Sequence, residues 1–315
     1  MINKKVLILE GGYNEEHKVS LKSSLEIQKV LKKNNVRFRI LKVNPKNFNK
    51  KILIFKNFIC FNALHGPFGE DGQIQKNLKK NKIKFTHSGI KSSKICFDKI
   101  KAKEIIIKNN ISTPRFMLIK MENFNKNELI KISNTFKKFV IKPNKSGSSF
   151  GIKIIKSKKD LTKLINNIEL FKNKLDQHKE ILIEEHIAGK ELTVSTLNFH
   201  RKIEALAVTE IKSKNIYFDY LAKYTKGYSK HILPAKLDKK IYSKCLKFAI
   251  KAHSALNCGS IARTDFIYDT SKKKIYFLET NTQPGLTSIS LLPEQAKYRK
   301  ISFKNVIFGI LQNIN

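Results

Sequence analysis

Between Ile261 and Leu291 the chain reads IARTDFIYDTSKKKIYFLETNTQPGLTSISL. Two alternating apolar segments, 261–268 and 274–279, flank an Asp-Thr-Ser-Lys cluster, which is the pattern of a β-hairpin. Side chains two apart on a strand share a face, so Arg263 goes with Asp265 and Glu279 with Asn281. An arginine, two carboxylates and an amide oxygen then converge. Hard oxygen donors of this kind suit Mg²⁺ held mainly through substrate phosphates. A solvated hairpin with its polar positions outward fits the same four residues, and so short a motif does not separate the two.

Residues 141–151, IKPNKSGSSFG, put Lys142 at a strand end before a loop rich in Gly and Ser. Exposed N–H groups and hydroxyls there would surround an anion while the lysine supplies charge. The stretch does not match G-x-x-x-x-G-K-[ST], which argues against a P-loop NTPase; an ordinary polar hairpin remains the plain alternative. Residues 65–72, HGPFGEDG, form an irregular loop at the carboxyl end of a strand, where open α/β sheets place ligands. Glu70 or Asp71 also suits the start of the following helix, which accounts for the acids but not for His65. Gly11-Gly12 lacks the third glycine and the later acid of a dinucleotide fingerprint.

The elements that must position these residues read as β-α-β at the N-terminus: a strand at 4–9, a helix at 20–33, and strands at 38–43 and 58–64. That alternation predicts a parallel sheet with covering helices. A second unit follows, with a helix at 99–109, strands at 116–119 and 138–142, a strand ending at Ile155 and a helix at 159–171. The third has strands at 180–187, 191–198 and 203–210, then a long Tyr-rich segment at 212–235. A loop of that length in a compact domain is usually functional, often a lid. A helix at 238–256, the hairpin and a helix at 301–310 close the chain. The expected units are 1–90, 91–180 and 181–315.

Composition bounds the partners. Among 315 residues there are 63 Lys+Arg against 25 Asp+Glu, a net charge of +38. Such a balance prompts a nucleic-acid or membrane partner. Only six of the basic residues are arginine, and the lysines are spread through every segment among Asn, Ile and Phe. These are residues of A/T-rich codons, so biased base composition explains the excess and specific nucleic-acid binding is not expected. Cys60, Cys96, Cys245 and Cys258 show neither C-x-x-C pairing nor zinc spacing. The N-terminal apolar run is too short for a secretory signal, and no stretch approaches the roughly eighteen apolar residues of a membrane span. A cytoplasmic protein without a membrane segment is expected.

Taken in order, the motifs resemble the D-alanine–D-alanine ligases of the ATP-grasp superfamily. They are Gly11-Gly12 with Glu16 and Val19-Ser20, His65-Gly66 with Gly69 to Gly72, Asp98-Lys99, Lys142-Pro143 with Gly147 to Ser149, Glu184 with Glu191, Lys223-Tyr224, Arg263 with Asp265, Glu279 with Asn281 and Pro284-Gly285, and Ser290-Leu291. The resemblance covers nearly the whole chain. It implies an α/β fold, an N-terminal parallel-sheet domain followed by a two-lobed ATP-grasp fold with α+β lobes, and a homodimer. It implies ATP-dependent joining of two D-alanines through an acyl phosphate, for peptidoglycan precursor synthesis.

By the same resemblance Lys99 and Lys142 contact the phosphates, with Lys223 also on the nucleotide, and Glu184, Glu185, Ile187 and Glu191 surround adenine and ribose. Asp265, Glu279 and Asn281 hold Mg²⁺ or Mn²⁺, two ions in all. Arg263 serves the oxyanion, Glu16 receives the ammonium of the first D-alanine and links through Ser148 to Tyr224, and Ser290 and Leu291 bind the carboxylate of the second. His65 lies near the bound D-alanine. The chain departs from the family pattern at Glu10, at Tyr13-Asn14, at Lys18, at His87 in place of a glycine, and at Gln283. Sister ligases forming D-Ala-D-Ser or D-Ala-D-lactate share most of these motifs, and a non-catalytic polyanion-binding protein is the alternative of another class.

Overall fold

In a computed structural model, which describes residues 5–14, 16–147, 150–213 and 229–315, the N-terminal alternation becomes a three-stranded parallel sheet. Its elements are β1 (Lys5–Gly11), α1 (His17–Lys33), β2 (Phe38–Val43), α2 (Phe48–Lys51), β3 (Phe58–Asn62) and α3 (Gln73–Lys80), with strand order β2-β1-β3. β1 is central and buried along nearly its whole length, as a parallel strand covered on both faces must be. Because β1 and β3 run parallel and adjacent, the loops after their carboxyl ends meet. The loop starting at Gly12 and the loop of residues 65–72 therefore share one edge of the sheet.

Next come α4 (Ile90–Phe97), α5 (Lys99–Lys108), β4 (Phe116–Lys120), α6 (Lys126–Thr135), β5 (Phe139–Pro143), β6 (Lys153–Ile155), α7 (Lys158–Asn166), α8 (Ile168–Asn173) and β7 (Glu180–Glu185). β4, β7, β5 and β6 form an antiparallel sheet in that order. Phe139, Ile141, Ile181 and Ile183 point into a core with Leu129, Ile132 and Leu164. The alternate residues Val140, Lys142 and Glu184 line a cavity on the other face, as the two-residue period of a strand requires.

The last sheet contains β8 (Lys190–Phe199), β9 (Lys202–Ser213), β10 (Ser229–Ile232), β11 (Ile261–Asp269) and β12 (Lys274–Asn281), antiparallel in the order β10-β9-β8-β11-β12. Three helices accompany it: α9 (Lys239–Ala255), α10 (Leu291–Tyr298) and α11 (Phe303–Gln312). Ala102 and Ile106 of α5 share a core with Val194, Phe266, Phe277 and Ala249, so residues 90–108 pack on this sheet. Val306, Ile307 and Ile310 of α11 return to Val6 and Ile8 of the first sheet and Ile27 of α1. Among the described residues no helix is long and apolar enough to cross a membrane.

Three expectations change in detail. The helix expected over 99–109 is preceded by a second, α4; Asp98 is extended between them and its side chain accepts from the Lys101 N–H at 3.3 Å. The helix expected over 159–171 is two, broken at Asn167, whose φ of −120° leaves the helical region. α10 was not expected, because Pro293 falls in its first turn, the one place a helix tolerates it.

Candidate active site

β11 and β12 pair in the expected hairpin, with Arg263 opposite Asn281 and Asp265 opposite Glu279. Directly opposed residues of an antiparallel pair project to one side, so all four share a face. The guanidinium of Arg263 forks onto Asp265, Nε to Oδ1 at 2.9 Å and Nη2 to Oδ2 at 2.8 Å. Thr193 on β8 donates to Asp265 Oδ1 at 2.6 Å. Lys99 Nζ stands 3.6 Å from Glu279 Oε2, and the Gln283 N–H donates to Asn281 Oδ1 at 2.6 Å. Among the described residues no three His, Cys, Asp or Glu side chains cluster around a metal position; the donor set here is two carboxylates and an amide. Arg263 and Lys99 lie against the two carboxylates and balance their charge. Hard oxygens in that number fit a divalent cation completed by phosphate or water.

Facing this hairpin is a cavity of ≈ 380 Å³ whose lining includes Lys99, Lys142, Glu184, Ile187, Glu191, Asp265 and Glu279. Glu185 lines it too, its carboxylate accepting from Arg115 Nε at 2.8 Å and its N–H donating to the Arg115 carbonyl at 2.8 Å. Lys99, the first residue of α5, donates to the Ser146 carbonyl at 2.6 Å, so one ammonium touches both the Gly/Ser loop and the acid face. Glu184 is gripped by two ammonium groups, Lys142 at Oε2 and Lys103 at Oε1. Burial alone would raise the Glu184 carboxyl, but the two lysines outweigh it and hold it below the usual carboxylate range. Burial pushes the Lys103 ammonium down to about 8, with Glu184 opposing the shift.

A smaller cavity of ≈ 50 Å³ adjoins, lined by Glu16, Glu70, Ser146, Arg263 and Asn281. Glu16, at the start of α1, comes so close to two glycines that a Cβ on Gly66 would lie 2.7 Å, and one on Gly147 2.9 Å, from its Oε2. The start of α1 thus reaches the Gly/Ser loop that follows β5. His65 is buried, with Nε2 3.2 Å from Ser23 Oγ and Nδ1 3.4 Å from Glu70 Oε1. Of the two acids after it, only Asp71 takes the helix-start role, accepting from the Gln73 N–H at 3.0 Å. Ser290 directly precedes α10 and its side chain turns back, Oγ 2.8 Å from Thr287 Oγ1, and Leu291 packs on Ile211 of β9. Ser148, Lys223 and Tyr224 lie outside the described residues.

The departures acquire reasons. His87 has φ +72°, the left-handed region that favours glycine, and its ring packs edge-on against Phe61 at 5.4 Å. Glu10 is buried in β1 with Lys42 as its cross-strand neighbour. Gln283 is buried and bonds to the end of β3. Sequence reasoning missed Lys103. Its signal was the four-residue spacing from Lys99 on one helix, a like-charge pair that is unfavourable unless carboxylates stand nearby.

A small antiparallel sheet facing a larger one across a cavity, with Lys142 on the smaller sheet and Asp265 and Glu279 on the larger, is the architecture of the ATP-grasp class. Residues 105–312 match the family described as D-ala D-ala ligase C-terminus. The D-alanine–D-alanine ligase of Pelagibacter ubique (strain HTCC1062) is 39% identical over 316 residues, covering 99% of this chain and 98% of that one. Two solved structures resemble it closely. The D-alanine–D-alanine ligase of Bacillus anthracis complexed with ATP has a TM-score of 0.80 at 27% identity, covering 98% of this chain and 96% of the other. The VanG D-Ala:D-Ser ligase of Enterococcus faecalis has 0.78 at 26%, covering 98% and 99%. The chain belongs to the D-alanine–D-alanine ligase family.

Proposed function

We propose that the chain joins two D-alanines into D-alanyl-D-alanine, a peptidoglycan precursor, while ATP becomes ADP and phosphate. The carboxylate of the first D-alanine takes the γ-phosphoryl group to give an acyl phosphate. The amine of the second attacks that carbonyl, loses a proton, and phosphate leaves. The observation that carries this reading is Lys99, whose ammonium touches the Ser146 carbonyl at 2.6 Å and faces Glu279 at 3.6 Å. A phosphate-type loop and an acidic face thus meet at one cation, which phosphoryl transfer by positioning and charge neutralisation requires.

In this reading Lys99 and Lys142 bind the phosphates, Glu184, Glu185, Ile187 and Glu191 hold adenine and ribose, and Lys223 adds a further nucleotide contact. Mg²⁺ or Mn²⁺ at Asp265, Glu279 and Asn281, as two ions, would neutralise the β/γ oxygens. Glu16 receives the first ammonium, beside Gly66 and Gly147, and His65 lies near the bound D-alanine. Arg263 stabilises the oxyanion with a permanently charged planar fork. Ser290 and Leu291 hold the second carboxylate, and Ser148 with Tyr224 completes the closure that keeps water from the acyl phosphate. A cytoplasmic location and a homodimeric assembly belong to the same reading.

Phosphate release from ATP tests it, with D-alanine, L-alanine, D-serine and D-lactate supplied singly and in pairs with D-alanine. D-alanine alone should stimulate release, and neither D-serine nor D-lactate should add to it. An absence of stimulation by D-alanine would overturn the proposal.

A further inference from the structure

Lys103 is fully buried, yet it belongs to none of the motifs and does not line the cavity. Three acceptors surround its Nζ: Glu184 Oε1 at 2.5 Å, Thr113 Oγ1 at 2.7 Å and the Phe277 carbonyl at 3.4 Å. An ammonium carries three protons, so this set matches its capacity and leaves none for a ligand. The rings of Phe116 and Phe277 flank it, at 5.9 and 5.8 Å from Nζ, and exclude water. A lysine in such a place would ordinarily be costly. What it meets is the carboxylate of Glu184, whose other oxygen contacts Lys142.

The charge count gives the arrangement its meaning. Lys142 and Glu184 alone would be a neutral pair on the cavity wall, with little attraction for a phosphate. With Lys103 behind, the triad carries one net positive charge, and Lys142 is its only cation on the cavity side. The three residues also come from three elements: Lys103 from α5, Glu184 from β7 and Lys142 from β5. Through the Phe277 carbonyl, Lys103 reaches β12 two residues before Glu279.

We propose that Lys103 is a positioning residue of the nucleotide site: it neutralises Glu184 from behind and so frees the charge of Lys142 for a polyphosphate. This rests on the nucleotide reading above. Lys103 does not touch the nucleotide; it acts through Glu184.

A double-mutant cycle tests this, with Lys103→Met, Glu184→Gln and the pair compared by KM for ATP, KM for D-alanine and direct ADP binding. Lys103→Met alone should raise KM for ATP and weaken ADP binding by about tenfold or more, with KM for D-alanine within about twofold. In the Glu184→Gln background, adding Lys103→Met should change ADP binding by less than about twofold, because no buried carboxylate remains to be neutralised. Should the single Lys103→Met variant fail to fold, the double variant, which removes both buried charges, is compared with Glu184→Gln alone by the same criterion. A similar loss in both backgrounds, or equal effects on the KM values for ATP and D-alanine, would overturn the proposal. Failure of the wild-type protein to bind ADP would instead overturn the nucleotide reading beneath it.

Discussion

Asn62 and Gln283 lie 221 residues apart, yet the Asn62 Nδ2 donates to Gln283 Oε1 at 2.7 Å, and Gln283 Nε2 returns to the Asn62 carbonyl at 3.2 Å and contacts the Leu64 carbonyl. This side-chain clamp joins the end of β3 to the turn after β12. It holds the loop carrying His65 against the strand carrying Glu279 and Asn281. Both side chains are buried, so removing one leaves desolvated groups without partners. Gln283→Leu should destabilise the fold by about 2 kcal/mol, read by urea denaturation, and raise KM for D-alanine. A variant as stable as the wild type would show that the clamp contributes nothing net.

Asp265 and Glu279 oppose each other across the hairpin, and Glu279 is the more accessible of the two. Glu279→Gln keeps the shape and removes one hard anionic ligand. The Mg²⁺ concentration for half-maximal activity should rise by about tenfold or more, and Mn²⁺ binding followed by its paramagnetic signal should weaken in parallel. The lost ion pair with Lys99 is part-exposed and contributes little to stability, so the melting temperature should hold. Unchanged Mn²⁺ binding would take Glu279 out of the metal set.

Two glycines at the Glu16 carboxylate differ in a way that mutation can read. Gly66 has φ +72°, and its Cβ would also meet Asn14 Nδ2 at 3.0 Å, whereas Gly147 carries no such backbone requirement. Gly66→Ala should therefore cost about 1–2 kcal/mol of stability as well as displace Glu16. Gly147→Ala should displace Glu16 with stability largely kept. Both should raise KM for the first D-alanine. If neither does, Glu16 is not the receptor for its ammonium.

Two buried histidines set an acid limit on the fold. Burial pushes His253 down to about 4, and burial followed by the neighbouring charge of His65 pushes His87 down to about 3. Both stay neutral when folded, while the unfolded chain takes up protons near pH 6.5. Their contribution is complete above that pH and is lost as pH falls toward 4, at roughly 1.4 kcal/mol per pH unit for each ring. Denaturation followed from about pH 7.5 to about pH 5 should show the decline, and His253→Gln should remove a sizeable part of its slope. An identical slope in the variant would clear His253.

Much of the fold was legible because strand and helix periods are local. β2 falls at 38–43 as the alternation predicts, and the hairpin of β11 and β12 is read from eight residues before its turn and six after it. The sequence alone also determined which residue types were on offer: lysines before a Gly/Ser loop, carboxylates two apart from Arg263 and Asn281, a histidine in a glycine-rich loop. The tertiary structure alone decided which of these share a cavity. The parallel neighbouring of β1 and β3 brings Glu16 to Gly66, hairpin register puts Asp265 opposite Glu279, and α5 turns Lys103 inward to Glu184. Each depends on contacts between distant residues, and burial then sets the charge. Nothing in the spacing of Lys103 and Glu184, eighty-one positions apart, shows that a sealed apolar pocket makes their charges act as one.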